Sequence, residues 1–219
     1  MKSVIKHIVA KTYKPLLEKY LSKTRVYTHE DITLEIPPEV FHPGFFFSTR
    51  LLLKYIKQLP LEGKRFLEPG CGSGLISIYA ARKGAAVTAS DINPIALESL
   101  KKNSRRNSAE LTIIESDLFT DIPEQQFDVI AINPPYYKKK PACFKDYAWY
   151  CGEKGEYFKK LFGRLDDYIH PATEVYMVLF EGSDMDMITK LAMMNGFNMR
   201  CVLTQENLLE KNFIFKIEK

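Results

Sequence analysis

The chain has few of the features that mark membrane-spanning, disulfide-linked or metal-binding proteins. Its longest stretch without Asp, Glu, Lys or Arg is thirteen residues, Pro69 to Ala81. A transmembrane helix needs ~20 apolar residues, so we expect no membrane span. Four cysteines without a CxxC pair predict neither a zinc site nor a disulfide framework, and favour reduced thiols in a cytoplasmic protein. The lysine-rich N-terminus lacks a compact apolar core, so we also expect no signal peptide.

Positive charge is concentrated in the first 60 residues, which hold ten Lys/Arg and five Asp/Glu, whereas the whole chain has a net charge of +4. Apolar residues at helical spacing over 4–21 predict an amphipathic helix. Two β-like runs follow, Arg25–Thr28 and Ile32–Ile36. We therefore predict a basic extension of one helix and a β-hairpin over residues 1–40, ahead of one domain over 41–219. The basic face is either a solvated surface or a contact for an acidic partner such as RNA.

From residue 64 onward, strand-like and helical patterns alternate, which predicts an α/β domain with a parallel sheet. The last two strand-like runs, Phe197–Leu203 and Asn212–Ile217, are only eight residues apart. This leaves no room for a crossover helix, so we expect them to pair antiparallel. The other predicted strands are Arg65–Glu68, Ala86–Asp91, Leu111–Ser116, Phe127–Ile132 and Val175–Phe180, and the predicted helices lie near 50–58, 74–83, 94–107, 153–168 and 184–195.

A glycine-rich segment, Glu68-Pro69-Gly70-Cys71-Gly72-Ser73-Gly74, joins the first of these strands to a helix. Glycines there let the backbone approach a ligand at the helix N-terminus. Asp91 ends the next strand, where a carboxylate can accept both hydroxyls of a ribose. The segment lacks the G-x-G-x-x-G pattern of dinucleotide-binding proteins. The negative charge of Glu68 would repel a pyrophosphate but attract a cationic ligand. These residues predict S-adenosylmethionine as ligand; the other interpretation is a glycine turn needed only for strand–helix packing.

Residues 64–136 resemble the nucleotide-binding core of class I S-adenosylmethionine-dependent methyltransferases. The resemblance implies a Rossmann-like, mostly parallel seven-stranded sheet in the order 3-2-1-4-5-7-6, with strand 7 antiparallel and helices on both faces. It implies that Asp91 binds the ribose and that Asp117 accepts a hydrogen bond from the adenine amine. The donor-binding residues expected from this core are Glu68, Gly70, Cys71, Gly72, Gly74, Asp91, Ile92, Asp117, Leu118 and Asn133.

The tetrapeptide Asn133-Pro134-Pro135-Tyr136 directly follows the fourth predicted strand. An amide or aniline-type nitrogen is a poor nucleophile because its lone pair is delocalised, but two acceptors that hold its N–H groups can orient that lone pair. The side chain of Asn133 and the carbonyl of Pro134 offer such acceptors, Pro135 stiffens the turn, and Tyr136 offers a flat face. We therefore predict that these four residues form the catalytic site of an N-methyltransferase. Taken alone, the tetrapeptide could also be a turn that ends a strand.

The tetrapeptide resembles the [D/N/S]-P-P-[Y/F/W] motif of methyltransferases that modify planar amino groups. Those include HemK-type protein-glutamine methyltransferases and the exocyclic-amine methyltransferases of DNA and RNA. Val40-Phe41-His42-Pro43 and the run from Thr49 to Leu53 also resemble the entry segment of the short HemK-type enzymes of the "methyltransferase small" group. In those enzymes the threonine contacts the donor, so the resemblance implies that Thr49 binds the donor.

Three hypotheses for function follow. The first is methylation of a protein glutamine, for example in a release-factor-like protein, by resemblance to the HemK-type enzymes. The second is methylation of an adenine exocyclic amine in RNA, or less readily DNA, which the basic extension, the aromatic residues near 137–150 and Lys138-Lys139-Lys140 favour. The third is a non-catalytic partner subunit that binds the donor. All three take S-adenosylmethionine and no metal, and the oligomeric state is not indicated.

Overall fold

The computed structural model describes residues 19–207 and 210–219. The helix predicted over 4–21 lies outside these residues except for its last three positions. No helix within the described ranges is both long and apolar enough to cross a membrane. The strands are β1 Arg25–His29, β2 Ile32–Ile36, β3 Arg65–Pro69, β4 Ala86–Asp91, β5 Leu111–Glu115, β6 Phe127–Ile132, β7 Ile169–Phe180, β8 Asn198–Glu206 and β9 Lys211–Glu218. The α-helices are α1 Phe47–Ile56, α2 Leu75–Arg82, α3 Pro94–Arg106, α4 Glu156–Leu165 and α5 Met185–Met194.

Seven strands form one sheet in the order β5-β4-β3-β6-β7-β9-β8. Strands β3 to β7 pair in parallel, whereas β9 runs antiparallel to both β7 and β8. Counted from β3 as the first strand, this order is 3-2-1-4-5-7-6. The expected Rossmann-like fold is therefore confirmed, including its antiparallel seventh strand.

The central strands are buried on both faces of the sheet. Along β6, Val129 and Ala131 join one hydrophobic cluster with α1, α2 and α3, while Ile130 and Ile132 join a second cluster with α4 and α5. Successive side chains of a strand point to opposite faces, so a sheet covered by helices on both faces needs nearly continuous apolar runs. This requirement explains why the strand-like runs of the sequence show little alternation.

The hairpin of β1 and β2 is bound to α3 by two asparagine side chains. Asn103 Oδ1 accepts from the backbone N–H of Glu35 at 2.7 Å, and Asn107 Oδ1 accepts from that of Thr33 at 2.9 Å. Each amide also donates to the carbonyl of the same residue, so the two side chains take the place of a neighbouring strand along β2. The buried face of β2 joins the larger hydrophobic cluster. The division of the chain at residue 40 stays a prediction.

Gly74 marks the close approach of α2 and α3, and it offers a stability test. Its φ is +86°, and a Cβ atom there would lie 2.1 Å from Cδ1 of the fully buried Leu100. We expect Gly74→Ala to lower the free energy of unfolding by about 2–4 kcal/mol, from overpacking and left-handed backbone strain. Urea denaturation followed by circular dichroism measures this loss.

Gly163→Ala is the matched control. Gly163 lies inside α4, and a Cβ atom there would have nothing within 4 Å. Alanine should stabilise this exposed helix position by about 0.5–1 kcal/mol. Equal effects of the two substitutions would contradict the packing role of Gly74.

Candidate active site

The carboxyl ends of β3, β4 and β6 open onto one cavity, as expected where parallel strands end at one edge of a sheet. Fourteen different residues were predicted as catalytic or donor-binding, and the wall of this cavity includes all of them except Gly74. Those present are Thr49, Glu68, Gly70, Cys71, Gly72, Asp91, Ile92, Asp117, Leu118, Asn133, Pro134, Pro135 and Tyr136.

The glycine loop adopts a backbone conformation that favours glycine. Gly70 and Gly72 have φ values of +75° and +52°, and the N–H groups of Gly70 and Cys71 donate to the carbonyl of Ser90. The Cys71 side chain is buried, and burial raises the pKa of its thiol, so it remains protonated. Gly74 does not line the cavity, and its contact with the donor stays a prediction. It sits at the N-terminus of α2 with Leu100 of α3 against it, and its role in this structure is helix packing.

Asp91 ends β4 with its carboxylate held by two backbone donors. Oδ2 accepts from Gly72 N at 2.9 Å, and Oδ1 accepts from Asn93 N at 2.9 Å. Burial raises the pKa of this carboxyl despite these hydrogen bonds. Each carboxylate oxygen has about two acceptor sites, so both oxygens can accept a further hydrogen bond from a ligand.

Glu68 lies deeper, near the end of β3. Its Oε2 accepts from Ser77 N at 2.8 Å and also from the Ser77 hydroxyl. Ser77 N is one of the donors at the first turn of α2 that have no partner within the helix. Burial, with a smaller contribution from the charge of Asp91, raises the pKa of Glu68 to about 8. The carboxyl is therefore mostly neutral at pH 7, and a cation in the cavity would favour its ionised form.

Asp117 also lines the cavity. Its carboxylate forms an ion pair with Lys160 of α4, an arrangement that the sequence did not predict. The next residue, Leu118, has a left-handed backbone with φ of +57° and a buried side chain that lines the cavity. These two residues therefore combine an apolar wall with a paired carboxylate.

All four residues of the tetrapeptide line the same cavity. Asn133 Nδ2 donates to Thr49 Oγ1 at 3.0 Å, and the Tyr136 hydroxyl donates to Asn133 Oδ1. Burial raises the pKa of the Tyr136 phenol, so it stays protonated. Its ring meets Phe180 edge to face, with centroids 5.0 Å apart. The side chains around Asn133 are thus neutral hydrogen-bonding groups.

Aromatic side chains complete the wall, and sequence reasoning found only some of them. Phe144 and Tyr157 line the cavity but were not predicted. The density of aromatic residues after the tetrapeptide was a signal for Phe144. Tyr157 had no such signal, because it lies in the first turn of α4, where an aromatic residue is typical of a packed helix. Tyr147, one of the aromatic residues near 137–150 that favoured RNA, also lines the cavity.

Two of the three consecutive lysines after the tetrapeptide are engaged within the protein. Lys138 Nζ lies 2.5 Å from Asp184 Oδ2, and Lys139 Nζ lies 4.7 Å from the centroid of the Tyr150 ring. The four cysteines are free thiols. Within the described ranges, no group of three or more His, Cys, Asp or Glu side chains is arranged to hold a metal ion.

The raised pKa of Glu68 predicts how stability depends on pH without ligand. A carboxyl that is neutral in the folded protein and ionised in the unfolded chain destabilises the fold as pH rises from about 4.5 to about 8. Glu68→Gln removes this effect. We expect its unfolding free energy to rise relative to wild type by about 1.4 kcal/mol per pH unit in that window, and then to stay constant.

Urea denaturation at pH 5 to 9 measures the difference. Glu98→Gln serves as control, because Lys102 lowers the pKa of the exposed Glu98. The difference in unfolding free energy between this variant and wild type should therefore not change with pH above 5. A flat profile for Glu68→Gln as well would show that the buried carboxyl titrates normally.

The chain is similar in sequence to methyltransferases of other organisms. A protein of Methanocaldococcus jannaschii named "Putative protein N5-glutamine methyltransferase" is 43% identical over 108 residues, which are 49% of this chain and 52% of that protein. The ribosomal protein L11 methyltransferase of Thermosipho africanus is 31% identical over 131 residues, which are 59% of this chain and 50% of that protein. The chain therefore spans about half the length of these two relatives.

Structural similarity agrees with the sheet order. The Thermus thermophilus 16S rRNA N2 G1207 methyltransferase, solved with S-adenosylmethionine and guanosine, superposes with a TM-score of 0.68 at 19% identity, over 90% of this chain and 51% of that one. The sequence model of the family described as "Methyltransferase small domain" matches residues 31–150. Since this match covers 120 of the 219 residues, the protein belongs to the methyltransferase small domain family and has the fold of S-adenosylmethionine-dependent methyltransferases.

Proposed function

We propose that this protein transfers the methyl group of S-adenosylmethionine to the side-chain amide nitrogen of a protein glutamine. The observation that carries the proposal is that one cavity is lined both by the acids Asp91 and Glu68 and by Asn133 with Pro134. Family membership supports the reaction, and the tetrapeptide supports a planar nitrogen as acceptor.

The residues of the cavity fit the donor. Asp91 has acceptor capacity left for two ribose hydroxyls, and the left-handed glycine loop leaves the backbone open to close approach. Glu68 is a buried carboxyl whose ionised form a cation would stabilise. Asp117 can accept from an adenine amine while it remains paired with Lys160. When bound, S-adenosylmethionine supplies a methyl group on a positively charged sulfur, which a nitrogen lone pair can displace in line.

The acceptor side holds and orients the nitrogen. Asn133 Oδ1 has two lone pairs and uses one for the Tyr136 hydroxyl, so the other can accept an N–H of the substrate amide. The carbonyl of Pro134 offers the second acceptor. With both N–H groups held, the lone pair points away from them, and catalysis is mainly positioning and exclusion of water. The proton lost by the nitrogen passes to solvent.

Two observations support a protein over a nucleic acid as acceptor. Both curated relatives are named as methyltransferases of proteins, and the relative with 43% identity is named for glutamine. The lysines that favoured RNA are also partly engaged, since Lys138 pairs with Asp184 and Lys139 lies over the Tyr150 ring.

An adenine exocyclic amine in RNA is the second candidate. The observation that favours it is the exposed aromatic rim of the cavity, where Phe144 and Tyr147 are both about half exposed and Tyr137 lies beside the tetrapeptide. Exposed aromatic rings near a cavity can stack on bases.

A labelled-methyl transfer assay separates these acceptors. Purified protein and methyl-labelled S-adenosylmethionine are incubated with extract from cells that lack this gene, and the product is divided among RNase, DNase and protease. We expect the label to be lost only to protease and recovered as N5-methylglutamine after complete proteolysis. Loss of the label to RNase would favour an adenine of RNA over glutamine as the acceptor. Binding of the donor without any transfer would support a non-catalytic subunit.

Asn133→Ala should abolish this transfer, because the acceptor nitrogen loses one of its two hydrogen-bond acceptors. We expect at least a 100-fold lower rate, of the size seen when one transition-state hydrogen bond is removed. The affinity for the donor, measured by calorimetry, should change by less than about threefold, well under the cost of one hydrogen bond. Near-normal turnover of this variant would refute the mechanism.

Asp91→Ala should act mainly on the affinity for the donor. Loss of two hydrogen bonds to a carboxylate should weaken donor binding by roughly 100-fold, again measured by calorimetry. Because Asp91 also holds the N–H groups of Gly72 and Asn93, the melting temperature of the variant is measured alongside. If the variant is folded and its affinity for the donor is unchanged, Asp91 does not bind the ribose.

A further inference from the structure

The chain between the tetrapeptide and α4 contains a loop, residues 140–148, whose two ends are paired with each other. Tyr137 N donates to the Trp149 carbonyl at 2.9 Å, and Gly152 N donates to the Lys139 carbonyl at 3.1 Å. We call residues 140–148 the lid loop. A compact loop with its ends close together is an Ω-loop, a class that is frequently functional.

The lid loop keeps its shape through hydrogen bonds of its own. Asp146 Oδ2 accepts from Ala142 N at 2.9 Å, and Asp146 N donates to the Cys143 carbonyl at 3.0 Å. Its 3-10 turn, Phe144–Ala148, has no buried residue among its five. A segment that satisfies its own backbone and buries little against the core can open at a small cost in free energy, while the rest of the fold stays intact.

The wall that the lid loop gives to the donor cavity is one side chain thick. Phe144, Tyr147 and Ala148 line the cavity, yet Phe144 is 47% exposed and Tyr147 is 41% exposed. These two rings therefore separate the cavity from solvent. Movement of the loop would open this part of the cavity, as lid loops of other enzymes do.

Trp149 packs the base of the lid loop on the segment that precedes α1. Between ring centroids, Trp149 lies 5.3 Å from Phe41 and 4.9 Å from Phe46, and these two rings lie 4.4 Å apart. We call this contact of three rings the latch. Phe41 also lines the cavity, and its Cβ lies 4.0 Å from where a Cβ atom on Gly72 would lie. The latch thus joins the lid loop to a segment beside the glycine loop.

The segment that carries Phe41 and Phe46 is bound to the fold at both ends. Asn93 Nδ2 donates to the Glu39 carbonyl at 3.0 Å, and α1 begins directly after Phe46. Trp149, in contrast, follows a loop that buries little. We therefore expect the lid loop to be the part that moves when the three rings separate.

We propose that residues 140–148 are a lid over the donor cavity and that Trp149 holds it closed by packing on Phe41 and Phe46. The donor enters and leaves when the latch opens, and closure shields the bound donor from water. Neither Trp149 nor Phe46 is part of the cavity wall, so both act through the loop and are positioning residues. The inference goes beyond the proposed function, because it needs donor binding and no particular acceptor.

Phe46→Ala removes one ring of the latch without changing the cavity wall. We expect S-adenosylmethionine to dissociate about tenfold faster, because a ring contact that keeps the lid closed is lost. The Kd should rise by less than about threefold, because an easier opening speeds association as well as dissociation. A chase of bound methyl-labelled donor with unlabelled donor measures the dissociation rate, and calorimetry measures the Kd. Trp149→Ala should behave in the same way, and Trp149→Phe should recover most of the slow dissociation.

Phe45→Ala is the matched control, because the Phe45 ring packs on Tyr20 and His42 instead; it should change neither quantity. If the Kd and the dissociation rate of Phe46→Ala rose by the same factor, association would be unchanged. The rings would then contribute to affinity alone, and the latch would be overturned. An unchanged dissociation rate in Phe46→Ala and Trp149→Ala would overturn it as well.

The fluorescence of Trp149 tests the lid in the unaltered protein. Trp149 is the only tryptophan of the chain, so quenching of its emission by acrylamide reports on the latch alone. We expect saturating S-adenosylmethionine to lower the quenching constant about twofold, because bound donor favours the closed lid. Equal quenching with and without bound donor would overturn the inference even if the glutamine acceptor were confirmed, and a lower constant would support it even if that acceptor were wrong.

Discussion

Two carboxyl groups buried close together at the ends of adjacent parallel strands set the arrangement of this site. Burial raises the cost of ionising both groups, the charge of Asp91 adds to that cost for Glu68, and each is tolerated because backbone N–H groups satisfy it. The donors are Ser77 at the first turn of α2, Gly72 in the glycine loop and Asn93 at the N-cap of α3. The starts of both helices are therefore hydrogen-bonded to the two acids. A cationic ligand in the cavity would stabilise the ionised form of these acids.

The strands could be predicted from the sequence because most of them carry apolar runs that bury both faces, and their order followed from the resemblance to class I methyltransferases. The start of β7 could not be predicted from the sequence. The sequence predicted Val175, but the strand begins at Ile169, because a bulge lies between two paired segments. Phe127 pairs with Ile169 and Val129 pairs with Glu174, so the residues between them, which include Pro171, are left out of the ladder. Proline is found at such bulges, and the sequence pattern of a polar segment of this kind does not predict a strand.

The site could be predicted where a residue type has one chemical use at its position. Asp91 and Asn133 follow strands directly, where polar side chains face a cavity. The donor contact of Gly74 stays a prediction, because glycine serves close packing as well as close approach to a ligand, and the sequence does not distinguish the two.

The polar groups of the cavity differ in charge, and this difference bears on the proposed acceptor. Glu68 and Asp91 are buried acids, whereas the groups in hydrogen-bond contact with Asn133 are the hydroxyls of Thr49 and Tyr136. A lysine ammonium at Asn133 would lose its hydration without gaining a counter-charge in contact, which is costly in a buried site. A glutamine amide is neutral and presents two N–H groups to two neutral acceptors. The polarity of the cavity thus matches a positively charged donor with a neutral planar acceptor.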